Sequence, residues 1–357
     1  MKLIKSGTYS ITIGHQALKN LSAFLAKSRY SSLYILCDEN TLQFCLPTLV
    51  ISCKALAQAQ VIEIESGESS KSMEFSAQVL QTLAENNADK KALLINLGGG
   101  VVSDLGGFSA SVYKRGIDFI NVPTSLLAMA DASVGGKTGI DFAGVKNLVG
   151  TFAQPKAVYI YPEFLKTLPQ RHFINGLAEI YKIALVSDLK FWNELKDQAK
   201  TTDPETLIAK SVSLKNKIVS KDPFDHGIRK ILNFGHTIGH AIESLLLGSE
   251  SELLHGEAVL RGMIIESHLA FQKKLITKKA LSEISSVLLS AFKPQILPDL
   301  SIQAVTDLIR NDKKTTGNKS KFSLPVKIGA CSFDVEATEQ QIQKAFLYYQ
   351  SLYNDKA

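Results

Sequence analysis

The chain is poor in the features that mark secreted, membrane-spanning and nucleic-acid-binding proteins. It holds four cysteines in 357 residues, and Cys37, Cys45, Cys53 and Cys331 form no CxxC pair. That excludes a disulfide framework or a cysteine-based zinc ribbon and predicts free thiols in a reducing cytoplasm. No apolar run nears the roughly 20 residues that cross a bilayer. The opening "MKLIKSGTYS" has no apolar core of signal-peptide length. Lysines and arginines are dispersed, with no basic tail and no interleaving with aromatics, which argues against a nucleic-acid partner. The net charge of +6 therefore points to a small anionic substrate.

What is present reads as a globular chain of two domains. Hydrophobic residues make up 45% and charged residues 21%, and 357 residues exceed what one core normally serves. "YSITIG" (Tyr9–Gly14), "YILCD" (Tyr34–Asp38), "QVIEIES" (Gln60–Ser66), "ALLINLGGG" (Ala92–Gly100), "IDFINVP" (Ile117–Pro123) and "AVYIY" (Ala157–Tyr161) are strand candidates. Amphipathic stretches such as Ser72–Glu85 and Asp104–Tyr113 separate them. This alternation predicts an α/β domain with a parallel sheet over residues 1–162. From Glu163 helical periodicity takes over, and an all-helical domain is expected over 163–357. One exception, "KFSLPVKIG" (Lys321–Gly329), reads as a hairpin or an extended strap.

"LINLGGGVVSDLGGF" runs from an apolar strand through glycines into a helix. Backbone amides in such a turn can approach a phosphate closely, and the helix N-terminus adds favourable partial charge. Ser103 occupies the third position of GxGxxG, so the dinucleotide fingerprint is incomplete. Asp38, closing "YILCD", stands where a carboxylate can meet a ribose hydroxyl. Downstream, Arg115, Lys137 and Lys146 each lie near glycine-rich turns among apolar residues, a setting suited to anion binding.

In "ILNFGHTIGHAIES" His236 and His240 share a helical face, and "LLHGEAV" adds His255. "GLAEIYK" places Glu179 and Lys182 three apart on one face. A carboxylate with two imidazoles is a zinc ligand set that leaves one position open for substrate. "HTIGH" lacks the glutamate of HExxH, so either both of its histidines bind metal or one binds and the other moves protons.

Ten ordered motifs then resemble the 3-dehydroquinate synthase family of sugar-phosphate cyclases: "CDEN", "GESSKS", "GGGVVSDLGG", "YKRG", "VPTSLLAMADASVGGKTGI", "KNLVGTF", "GLAEIYK", "GIRKILNFGHTIGHAIE", "HGEAV" and "DKKTTG". The resemblance implies an NAD-binding α/β domain followed by a helical zinc- and substrate-binding domain. It implies metal (zinc, or cobalt in its place) on Glu179, His236 and His255. NAD would meet Asp38, Asn40, Glu68 and Lys71, then Gly99, Gly100, Val101 and Asp104. Thr124, Ser125 and Lys146 would join them, with the helix start Phe164, Leu165, Lys166 and Thr167. Substrate would meet Arg115, Asp131, Lys137, Asn147 and Lys182. Lys215, Arg229 and Asn233 would follow, with Lys313 or Lys314 or both. Of these, Lys137, Asn147 and Lys182 would take part in catalysis with His240 and Asp225. A homodimer in the cytoplasm is implied as well. The family often reads DExExGxR before NFGH. Here "DPFDHGIR" brings Pro223 in for one acid and the shorter Asp225 for another. The rival readings are another cyclase on the same scaffold and a non-catalytic NAD-binding regulator.

Overall fold

The computed structural model describes residues 1–198, 202–294, 300–312 and 319–354. They form two compact units, Met1–Gly176 with Asp203–Phe224, and Leu177–Thr202 with Asp225–Ala357. The sequence suggested one boundary at residue 162, whereas the chain crosses between units three times.

The first unit contains β1 (Lys2–Ser6), β2 (Tyr9–Ile13), β3 (Leu33–Asp38), β4 (Gln60–Ile64), β5 (Leu93–Gly98), β6 (Asp118–Pro123), β7 (Lys137–Phe142), β8 (Val145–Phe152) and β9 (Ala157–Ile160). Seven of them build one sheet in the order β1-β2-β9-β6-β5-β3-β4. Every neighbouring pair is parallel except β1 and β2. All six strand candidates are in this sheet. β1 escaped notice because "KLIKS" is short and mostly exposed at the sheet edge, with lysines that discourage further pairing.

After β3 the chain moves out to the edge strand β4, then returns to lay β5 on the other side of β3. That reversal opens a crevice at the carboxyl ends of β3 and β5, where open α/β sheets bind ligands. β5 is buried along its whole length, as a central parallel strand must be. Tyr34, Leu36, Ile62, Ile64, Leu94 and Phe119 form one core with Val79 and Leu83 of the helix Met73–Glu85 and Val102 and Leu105 of the helix Gly100–Val112. The second helix can lie this close because residue 106 is glycine. A Cβ there would stand 2.0 Å from Asn96 Oδ1 and 2.8 Å from Leu36. Gly106 thus does the helix-on-sheet packing that the incomplete GxGxxG left without a residue.

β7 and β8 make a separate antiparallel hairpin, where the sequence showed only cations among glycines. The helix Pro204–Val219 also belongs to the first unit, with Ser211 Oγ donating to the Ala130 carbonyl at 3.2 Å.

The second unit is predominantly helical. The helix His255–Gln272 packs against His236–Leu246, Lys278–Phe292 and Glu339–Asn354, and is buried along most of its length. The segment Lys321–Gly329 does lie mostly in a strand. β10 (Lys319–Lys327) pairs antiparallel with β11 (Ala330–Thr338), which had no clear strand signal. Their hairpin braces the turn Ile228–Asn233: Ser323 Oγ donates to the Lys230 carbonyl at 2.6 Å, and Lys230 pairs with Asp334 at 2.8 Å.

Candidate active site

In the second unit two helices set the histidines face to face. His236 and His240 project from one helix and His255 begins the other, with ring centroids 5.1 to 5.5 Å apart. One nitrogen from each can be chosen so that all three lie within 4.8 Å of one another. Such closeness follows from glycines: a Cβ on Gly262 would stand 1.9 Å from the Gly235 carbonyl oxygen, so the backbones of the two helices nearly touch.

Glu179 reaches the same point from the helix Gln170–Ser187. Its Oε1 lies 3.5 Å from His236 Nε2 and 3.5 Å from His255 Nε2, and its carboxylate ion-pairs with Lys182. Glu179 and Lys182 are only 1% and 2% exposed. Neither carboxylate oxygen of Glu179 has a well-formed hydrogen bond, despite complete burial. A buried carboxylate in that state fits a metal ligand. Both imidazoles also turn Nε2 inward, because their Nδ1 atoms are engaged elsewhere: His236 with the Phe234 carbonyl at 3.2 Å, His255 with Glu243 Oε2 at 3.3 Å. The expected ligands Glu179, His236 and His255 are therefore together, and His240 is beside them.

Burial makes ionised Glu179 costly, but Lys182 and His255 outweigh it and hold its pKa down to about 2. Burial and the charge of Lys182 push His236 well below the usual histidine range. His255 behaves oppositely. Burial disfavours its proton, yet Glu179 and Glu243 hold that proton, raising the pKa to about 10. A divalent ion on Nε2 must then displace a proton from the metal-free site. Apparent metal affinity is expected to rise about tenfold per pH unit from about pH 6 to about pH 9. Chelator-competition titrations over that range check it, and a flat profile would contradict it.

Two glutamates of this region were missed. Glu243 lies seven residues after His236, on the same face of the helix, so spacing could have revealed it. Glu266 is fully buried and accepts from the amides of Gly235 at 2.6 Å and Ile238 at 3.0 Å, satisfying donors at the start of the histidine helix. No local pattern announces it. Arg229 is buried and Asn233 partly buried in the braced turn Ile228–Asn233. Asp225 sits in the turn before it with φ +61°, a left-handed conformation that its short side chain tolerates.

In the first unit the expected cofactor residues gather at one sheet edge, because parallel strands end on the same side. Asp38 closes β3, and Asn40 is exposed just after it. Glu68 and Lys71 follow β4. Gly99, Gly100, Val101 and Asp104 follow β5. Thr124 and Ser125 follow β6, the Thr124 amide donating to the Gly98 carbonyl at 3.0 Å. The turn Pro162–Thr167, with Phe164 buried and Lys166 and Thr167 exposed, follows β9. Asp38 also works within the fold, where its Oδ1 accepts from the Thr41 amide at 2.7 Å and caps the helix Glu39–Phe44.

Beside this edge lies an ion network. Lys71 is buried and donates to Asp104 Oδ2 at 2.6 Å and Asn147 Oδ1 at 2.5 Å. Burial opposes its charge, but Asp104 and Glu68 hold the ammonium protonated. Lys146 pairs with Glu68 at 3.3 Å. Asn147 has φ +53°, and its amide donates to Asp141 Oδ1 at 2.7 Å. Lys215 pairs with Asp131 Oδ1 at 2.9 Å and donates to the Asp131 carbonyl at 2.8 Å. Arg115 and Lys137 are exposed, Arg115 with φ +63°. Lys313 and Lys314 lie outside the described residues.

A family model for the N-terminal domain of 3-dehydroquinate synthase matches residues 61–175, and one for the C-terminal domain matches residues 176–315. A 3-dehydroquinate synthase of Parabacteroides distasonis is 36% identical over 333 residues, covering 92% of this chain and 94% of that protein. One from a Sulfurovum species is 44% identical over 290 residues, covering 80% and 81%. Among solved structures, the 2-epi-5-epi-valiolone synthase of Streptomyces hygroscopicus, with NAD+ and Zn2+ bound, superposes with a TM-score of 0.86 at 27% identity, covering 98% of this chain and 99% of that one.

Proposed function

The chain belongs to the 3-dehydroquinate synthase family, and we propose that it converts 3-deoxy-D-arabino-heptulosonate 7-phosphate to 3-dehydroquinate and phosphate. The observation that carries this reading is the meeting of Glu179, Lys182, His236, His240 and His255 in one buried place, in a chain that matches the family through both halves.

Glu179, His236 and His255 would hold the divalent ion, zinc or cobalt. The sheet edge from Asp38 to Ser125, with Lys146 and Phe164–Thr167, would hold NAD. When bound, NAD would supply reversible oxidation at C5 and the ion would polarise the C5 oxygen, the chemistry that a redox-neutral loss of phosphate with ring closure needs. The chain's own residues bind and orient. A substrate with a carboxylate at one end and a phosphate at the other needs cations at two places. Arg115, Lys137, Lys182, Lys215 and Arg229, with Asn147 and Asn233, are the cations and amides that would meet those anions. Lys215 comes already oriented by Asp131. His240, whose ring lies against those of His236 and His255, would move a proton, with Asp225 as a carboxylate for the same work. In this reading the enzyme is a carbon–oxygen lyase, cytoplasmic and homodimeric. No helix among the described residues is long and apolar enough to cross a membrane.

Phosphate release from the heptulosonate phosphate, with NAD in catalytic amount, tests the proposal. Steady release without accumulating NADH is expected, because each hydride taken is returned. Stoichiometric NADH would indicate a simple dehydrogenase. Turnover only of a sugar phosphate lacking the carboxylate would indicate a different cyclase, and NAD binding without turnover of either would indicate a regulator. In the same assay Arg115→Ala should cripple turnover while NAD affinity stays near wild type.

A further inference from the structure

We propose that Glu243 is a positioning residue of the metal centre, accepting the Nδ1 proton of His255 and so committing Nε2 of that ring to the ion. The inference rests on the metal-site reading given above. Glu243 is 4% exposed and shares its helix face with His236 and His240. Its Oε2 lies 3.3 Å from His255 Nδ1, while the opposite nitrogen of that ring lies 3.5 Å from Glu179 Oε1. The imidazole is thus gripped at both nitrogens by buried carboxylates.

His236 is oriented differently, through the neutral carbonyl of Phe234 at 3.2 Å. Both arrangements fix the same tautomer, with Nε2 turned to Glu179. A carboxylate partner does more than a carbonyl: it draws the Nδ1 proton towards itself and makes Nε2 a stronger donor to a cation. Glu243 touches neither substrate nor cofactor in this scheme; it acts through His255.

Co2+ titration of chelator-treated protein, read by competition with a chromophoric chelator, tests this without any turnover. Glu243→Gln keeps the shape and an acceptor oxygen but removes the charge, and should weaken Co2+ roughly tenfold. Glu243→Ala should weaken it by up to roughly a hundredfold. A merely structural role would lower the unfolding midpoint of the metal-free protein and leave the affinity of Glu243→Gln where it was. If both variants bind Co2+ within about twofold of wild type, Glu243 has no such role. Should Glu243→Ala fail to fold, Glu243→Gln decides. Wild-type protein that binds no Co2+ would overturn the metal centre and this proposal together, whereas tight wild-type binding with unchanged variants overturns only the proposal.

Discussion

Glu179→Ala is expected to lose the metal, lose turnover and lower stability by about 3–5 kcal/mol, the usual cost of stranding a buried charge. The stability loss comes from Lys182. With both side chains almost fully buried, the carboxylate is the close counter-charge that keeps the ammonium tolerable in the interior. Removing it takes away that counter-charge, and the ammonium must then lean on its other contacts, shed its proton or draw in water. The loss of turnover has a separate origin. Without the carboxylate the ion has two or three imidazoles and no anionic ligand, and the several kcal/mol of charge stabilisation that a bound ion provides would go with it, roughly a thousandfold in kcat or more. Urea unfolding in the presence of a chelator isolates the first effect, and metal content by elemental analysis isolates the second. Stoichiometric metal in Glu179→Ala would show that His236, His240 and His255 are the ligands, an arrangement their mutual distances also allow. Full stability in chelator would show that Lys182 draws its compensation from another group.

Gly262→Ala is expected to be the most damaging single methyl group in the second unit. Its Cβ would lie 1.9 Å from the Gly235 carbonyl oxygen and 2.9 Å from the Gly239 amide nitrogen. Both are backbone atoms, which cannot rotate aside as a side chain would, so the helices His236–Leu246 and His255–Gln272 must move apart. Overpacking of a core commonly costs about 1–3 kcal/mol, and a backbone clash belongs at or above the upper end. The same separation pulls His255 from His236, whose ring centroids are now 5.2 Å apart. Metal affinity should therefore fall in the folded variant, at a temperature well below its unfolding midpoint. A variant with wild-type midpoint and wild-type metal affinity would show that the helices can part without disturbing the site.

Six of the nine strands in the first 162 residues were legible in the sequence because apolar patterning is a local property, as in "LLINLG", and so was the helix Met73–Glu85 behind its Ser72 cap. The ligand types were legible too: His236 and His240 at a four-residue spacing, and Glu179 three before Lys182, share faces whatever surrounds them. Other features carry no local mark. Lys215 reaches Asp131 across 84 residues of sequence, and Lys71 links Asp104 to Asn147 across 33 and 76. β8 alternates too weakly around Gly150 to read as a strand, and β11 gains its identity only by pairing with β10. Glu243 and Glu266 are ordinary helix residues until a neighbouring helix brings an imidazole or two bare amides against them. Local pattern settled which elements form and which chemical groups are on offer. Which groups meet was left to packing, because pairing across tens of residues depends on how whole helices and strands come together. A helix's own periodicity says which face is buried but not what it is buried against.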